Sequence, residues 1–184
     1  MANASETLVG ANGYVWVGAV DATEPTNPTS APSGAWTELG YLSEDGVTWS
    51  VSKTMEDINA WQSFYPIRQI VTASSSTLAM TLRQWNEHTL VLALGGGTVD
   101  ETAGIFKYTP PEPGAIDERA VMVDWNDGDR NYRLIVRRAM VSDAVETQLQ
   151  RGAAADLPVT FTVLGNQTGD APFILLTDDA AFGA

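Results

Sequence analysis

The chain has 184 residues, 44% of them apolar, with a net charge of −13, one histidine and no cysteine. This length suits one folded domain with a buried core, or one domain with extended arms. The absence of cysteine excludes disulfides and thiolate zinc sites, and the lone His88 leaves no imidazole cluster for a metal.

Charge is the dominant bulk signal. Residues 1–60 carry eight acidic side chains and one base, Lys53, while residues 111–184 carry twelve acids and six arginines. Such a surface repels phosphate, which argues against tight nucleic-acid binding and fits either simple solubility or a surface that DNA passes without being held. No run approaches the roughly 18 apolar residues of a membrane span, and MANASETLVG lacks the basic and apolar regions of a secretory signal.

In chain order, YVWVGAV (14–20) predicts a compact strand with apolar residues on both faces. DATEPTNPTSAPSGA (21–35) is dense in turn formers and predicts a surface loop. WTELGYLS (36–43) suits a second strand, and DGVTWSVSK (45–53) alternates with period two, Val47, Trp49 and Val51 opposing Thr48, Ser50 and Ser52. TMEDINAWQSFYP (54–66) then breaks the alternation and predicts a long loop holding Ile58, Trp61, Phe64 and Tyr65. Loops of that length in compact domains are usually functional or disordered, and the aromatic content argues against disorder. Exposed, those rings form an apolar patch suited to a partner.

IRQIVTASSSTLAMTL (67–82) predicts a long strand rich in Ser and Thr. A short helix over 86–94 follows, with Asn86 as its cap, Glu87 where the dipole favours an anion, and Gly95 in the left-handed terminating position. Two to three turns are not stable alone, so the helix must pack on a sheet, with Trp85, Leu90, Leu92 and Leu94 as its packing residues. Beyond it, GIFKYT (104–109) predicts a short strand, and residues 119–140 a hairpin around Asn126-Asp127-Gly128-Asp129. VSDAVETQLQ (141–150) suits an edge strand, LPVTFTVLG (157–165) a further strand, and the tail with FILLT an arm that docks elsewhere. The sum is a mainly β chain: an antiparallel sandwich or barrel with one short flanking helix, long loops and terminal arms.

Chemistry is sparse. GGGT (95–98) lacks the Gly-Lys-Ser/Thr ending of a phosphate loop and follows a helix instead of opening one. DWNDGDR (124–130) resembles the start of a calcium loop, yet its glycine falls one place early and Ile135 stands where the bidentate glutamate belongs. His88 has no local partners for a triad, and the paired carboxylates Glu44-Asp45, Glu56-Asp57 and Asp178-Asp179 are sequence neighbours that point apart. No cofactor, metal or catalytic set is expected, and the protein reads as a non-enzyme. Six tryptophans suit a sugar-binding surface, although Trp16, Trp49 and Trp125 occupy positions that read as core.

Three segments, in order, resemble the major tail proteins that build the tail tube of long, non-contractile-tailed bacteriophages. They are EDGVTWSVSKTMEDINAWQSFYPIRQIVT, TLRQWNEHTLVLALGGG, and NYRLIVRRAMVSDAVETQLQRGAAADLPVTFTVLG. The resemblance covers about residues 36–165. It implies one tail-tube domain over 1–184, with an N-terminal strand and loop in 1–35, a C-terminal arm in 166–184, and no added immunoglobulin-like domain. It further implies hexameric rings stacked into a hollow virion tail tube, assembled in the bacterial host cytoplasm. Its partners would be copies of itself, tape-measure, tail-tip and tail-terminator proteins, and double-stranded DNA passing transiently through an acidic lumen, with no membrane. If six copies share about 24 strands at ~4.8 Å spacing and ~40° tilt, the backbone diameter is roughly 48 Å, wide enough for a duplex.

On that basis the 54–66 loop and its flank, with Ile58, Trp61, Phe64, Tyr65, Ile67 and Arg68, are the candidates for ring stacking. Polar-face residues Thr48, Ser50, Ser52, Thr72, Ser74 and Ser76, with Glu56 and Asp57 nearby, are the lumen candidates. A one-residue register change would invert that face. The competing expectations are a tube protein of a contractile tail or secretion apparatus, and a carbohydrate-binding virion or adhesion module.

Overall fold

The computed structural model describes residues 6–143, 145–166 and 168–183. Its elements run β1 (Asn12–Gly18), β2 (Trp36–Glu38), β3 (Leu42–Ile58), β4 (Arg68–Leu82), α1 (Glu87–Ala93), β5 (Thr98–Thr102), β6 (Ile105–Thr109), β7 (Glu118–Asp127), β8 (Arg130–Val141), β9 (Leu157–Val163) and β10 (Phe173–Thr177). The main sheet follows the order β2-β1-β7-β8-β9-β4-β3, with β10 added beside β8, while β5 and β6 pair only with each other. All pairings are antiparallel.

The sheet folds over at β8. Its first part, Tyr132–Val136, pairs with β10, and its end, Ala139–Val141, pairs with β9. Between them the β7 ladder jumps from Val121–Val136 to Arg119–Ala139, so Arg137 and Arg138 stand opposite the single Ala120. An extra residue of this kind bends a strand and raises its twist. It also lets both arginines face outward in succession. Arg137 is held by Glu24, at 2.6 and 3.1 Å, and Arg138 by Glu118, at 2.6 Å twice.

The two arms of the bent sheet enclose one core. Val15, Val121, Val123, Leu134 and Val136 from one side meet Leu78, Met80, Val159 and Phe161 from the other. Full burial of side chains such as Phe161 and Leu78 contributes about 1.5–3 kcal/mol each. A second, smaller cluster of Trp36, Ala120, Met122 and Ile135 lies on the outer face of β1, β7 and β8. The 21–35 loop covers it. Trp36 Nε1 donates to Thr23 O at 2.9 Å, and buried Arg133 forks onto Asp124 at 2.6 and 2.7 Å. The remaining donor of Arg133 reaches the carbonyls of Asn27 and Ser30, both at 2.9 Å. The predicted surface loop is thus clamped by a guanidinium.

α1 forms because Asn86 and Thr89 exchange capping bonds, Thr89 N to Asn86 Oδ1 at 3.0 Å and Asn86 N to Thr89 Oγ1 at 2.9 Å. It ends at Gly95, whose φ of +74° suits glycine. Leu92 and Ala93 enter the main core, and Leu90 is half-buried. Trp85 and Leu94, expected to pack with them, are 48% and 45% exposed. Leu94 is the C-cap, already turned away from the buried face, while Trp85 precedes the helix and lends its indole N–H to Ala155 O at 2.6 Å.

Other expectations are corrected. β3 runs through residues 54–58, so the loop shortens to 59–67 and the hairpin lengthens. Cross-strand pairing from Met55–Val71 to Ile58–Arg68 overrides the polar sequence there. β5, unrecognised in the sequence, pairs with β6 around the Ala103-Gly104 turn, both residues at positive φ. Residues 141–150 do not continue as an edge strand beyond Val141; Ala144 lies outside the described residues. The tail docks at home: β10 lies on β8, and Asp178 and Asp179 bind Asn131 and Tyr132.

Candidate functional site

The β3–β4 hairpin leaves the body. From Thr48 to Asn59 and from Trp61 to Ser75 every residue is exposed, on both faces. β3 pairs only with β4, and β4 meets β9 only from Thr77 onward. The projecting part therefore carries two unpaired edges, an arrangement that isolated proteins generally avoid.

At its tip the structure brings together the six candidate stacking residues. Trp61, Phe64 and Tyr65 are 99%, 106% and 81% exposed, with Ile58 and Ile67 also exposed. The tip is ordered by its own bonds: Ile67 N to Ile58 O at 2.8 Å, Ser63 N to Ala60 O at 3.1 Å, and Ser63 Oγ to Tyr65 O at 2.8 Å. Arg68 opposes Ile58 and has no carboxylate partner among the described residues, although Arg83, Arg119, Arg130, Arg133, Arg137 and Arg138 all do.

The ladder register separates the lumen candidates. Thr48, Ser50 and Ser52 pair with Ala79, Thr77 and Ser75, and these share a face with Glu56. Ser74 and Ser76 pair with Lys53 and Val51 on the opposite face, the one that continues the core side of Leu78 and Met80. Ser76 is buried there, accepting a hydrogen bond from Trp49 Nε1 at 3.0 Å. Asp57 also lies on that side, bound by Gln69 Nε2 at 2.7 Å. Thr72 falls at a bulge between the pairs Thr54–Ala73 and Met55–Val71, its hydroxyl donating to Thr54 O at 3.3 Å.

The face that forms is built from Thr48, Ser50, Ser52, Ser75 and Thr77, extended across β9 by Thr160 and Thr162. Sequence reasoning missed Ser75, Thr77, Thr160 and Thr162. A signal for β4 existed: counting back by twos from Leu78, Met80 and Leu82 puts Ser76 and Ser74 on the apolar side. The face is uncharged in its middle. Glu56 and Arg68 stand toward the tip, and the ion pair Glu118–Arg138 lies at the β8 margin. The reverse face of the arm is more apolar, with Val51, Met55 and Val71 52%, 55% and 58% exposed.

A cleft of about 1000 Å³ opens between the beginning of β1 and the beginning of β3. Trp49, Trp125, Val123 and Leu134 form its floor, with Tyr14 and Tyr41 at its mouth.

A long hairpin bare on both faces, a strand margin awaiting a partner, and a hydroxyl-lined sheet describe a subunit made to be completed by others. The family comparison agrees: the phage tail tube protein family matches residues 1–184, and the chain belongs to it. It is similar to major tail protein Gp23 of Mycobacterium phage L5, 30% identical over 196 residues that span 96% of this chain and 93% of that protein. The chain is therefore a structural subunit of a phage tail tube and a virion component, not an enzyme.

Proposed function

We propose that six copies close into a ring, that rings stack into a hollow tube, and that genomic DNA passes along its bore. The observation that carries this reading is the four-strand surface formed by β3, β4, β9 and the end of β8, hydroxyl-rich on one face and bounded by the open margin of β3. Pairing that margin with the next copy removes the exposed ladder, and a head-to-tail contact whose rotation closes gives a ring.

The hydroxyl face lines the bore in this arrangement. The core side of the same strands, to which α1 contributes Leu92, is then the side away from DNA. Residues in the middle of the wall hold hydration without fixed cationic sites, and the net charge of −13 per copy makes the field in the lumen acidic. The chain acts as one tail-tube domain. The arm, with Trp61, Phe64 and Arg68 at its tip, contacts the neighbouring ring. Tape-measure, tail-tip and terminator proteins set length and ends, and assembly occurs in the host cytoplasm.

Negative-stain microscopy of the purified chain at high concentration tests the reading. Hollow filaments with sixfold rings are expected. Compact single particles at every concentration, with added tail-tip proteins as well, would overturn it.

A further inference from the structure

We infer that the cleft between β1 and β3 is the socket for the arm tip of a copy in the adjacent ring. This rests on the stacking reading above and names its receptor. Three observations converge.

First, position. The tip follows Ile58 at one end of β3, while the cleft takes its lining from Leu42 to Trp49, so the nine residue steps from Trp49 to Ile58 at ~3.3 Å put the cleft's near end roughly 30 Å from the tip. Copies stacked head to tail bring one molecule's tip to the next molecule's cleft. Second, apolar fit. The tip offers Trp61 and Phe64 with no intramolecular cover, and the cleft offers an open aromatic floor of Trp49 and Trp125. Large rings at the centre of an interface typically dominate its affinity.

Third, charge. Arg68 is the one base at the tip, with Glu56 and Asp57 beside it on β3, whereas the cleft lining includes the carboxylates Glu38, Glu44, Asp45 and Asp124, the last already paired with Arg133, and no basic residue. None of the other three carboxylates forms an ion pair among the described residues. An arginine without an ion-pair partner, set against carboxylates that also lack one, fixes the orientation of docking.

A charge exchange tests this. The double variant Glu44→Lys, Asp45→Lys and the single variant Arg68→Glu should each lose tubes while keeping wild-type monomer melting behaviour. Combined in one chain they should restore tubes. Tubes formed normally by the cleft variant, while Trp61→Ala abolishes them, would overturn the socket and leave arm-mediated stacking intact. If Trp61→Ala also forms normal tubes, the stacking reading falls together with the socket. Failure of the combined chain to recover tubes would likewise count against the socket. A second readout uses the absence of native cysteine. Phe64→Cys and Tyr41→Cys placed in one chain should give a ladder of cross-linked multimers with a short bis-maleimide, which neither substitution alone produces; its absence from assembled tubes would refute the contact.

Discussion

Trp49 and Ser76 are joined across the β3–β4 ladder, indole Nε1 to hydroxyl Oγ at 3.0 Å, at the level where the hairpin leaves the core. The Phe173 ring meets Trp49 edge-on at 5.1 Å. Beyond this point the described strands have no further packing partners within the molecule, so the pair anchors the base of the arm. Ser76→Ala should lower unfolding stability by about 0.5–1.5 kcal/mol, the usual net value of one hydrogen bond. Urea denaturation followed by tryptophan fluorescence measures it, and an unchanged midpoint would show that the bond does not anchor the arm.

Removing the aromatic tip separates folding from assembly. Trp61 touches nothing that holds the monomer together, being 99% exposed. Trp61→Ala should leave thermal unfolding unchanged within about 0.5 kcal/mol and abolish tubes under the microscope.

Leu92 is the reverse case. It is buried at 4% exposure in the main core beneath α1. Leu92→Asp places a charge there without a partner, a change that costs several kcal/mol or more. The variant should be recovered as insoluble material, and a cooperatively melting soluble chain would show that α1 is not a required lid.

Arg133 tests the clamp on the 21–35 loop. It is 2% exposed and serves Asp124 and two loop carbonyls. Arg133→Ala strands a mostly buried carboxylate, so a loss of about 3–5 kcal/mol is expected. The same variant should be cleaved faster within 21–35 under limited proteolysis than the native chain.

The docked tail carries a pH dependence with a definite sign. The Tyr132 hydroxyl, donating at 2.5 Å, is the main cause holding the Asp179 carboxyl below its ordinary value. The Asn131 backbone N–H, followed by its side-chain amide, does the same for Asp178. Folded values below the unfolded ones mean that this contribution is present above the ordinary carboxylate range. It is lost as pH falls through the depressed folded values. The tail should therefore detach only at pH below the ordinary carboxylate range, seen as a change in Tyr132 and Trp125 emission. Asp179→Asn should flatten that part of the transition.

Much of the fold was legible because period two is a local property. The 119–140 hairpin, β9, and the capped helix after Asn86 all follow from neighbouring residues and the turns between them. The arm was half legible: its aromatics stood out, yet residues 54–58 looked like loop because their partners, Arg68 to Ala73, lie ten or more positions away. Trp36 shows the same limit in the other direction, being buried under a loop that composition alone marks as exposed.

The amino-acid order alone determined that this is a β protein with one short helix, acidic, without thiols and with a single histidine, and bearing an aromatic segment with no place in a core. Those properties depend on residue type and near-neighbour spacing. The phase of β4 against β3, the corner at Arg137 and Arg138, and the sidedness of the hydroxyl face were decided by tertiary structure. Alternation counted back from Leu78 orients the three serines, but the bulge at Thr72 leaves side-chain direction beyond it undefined until the partner strand is in place, because there the ladder bonds choose which face a residue shows.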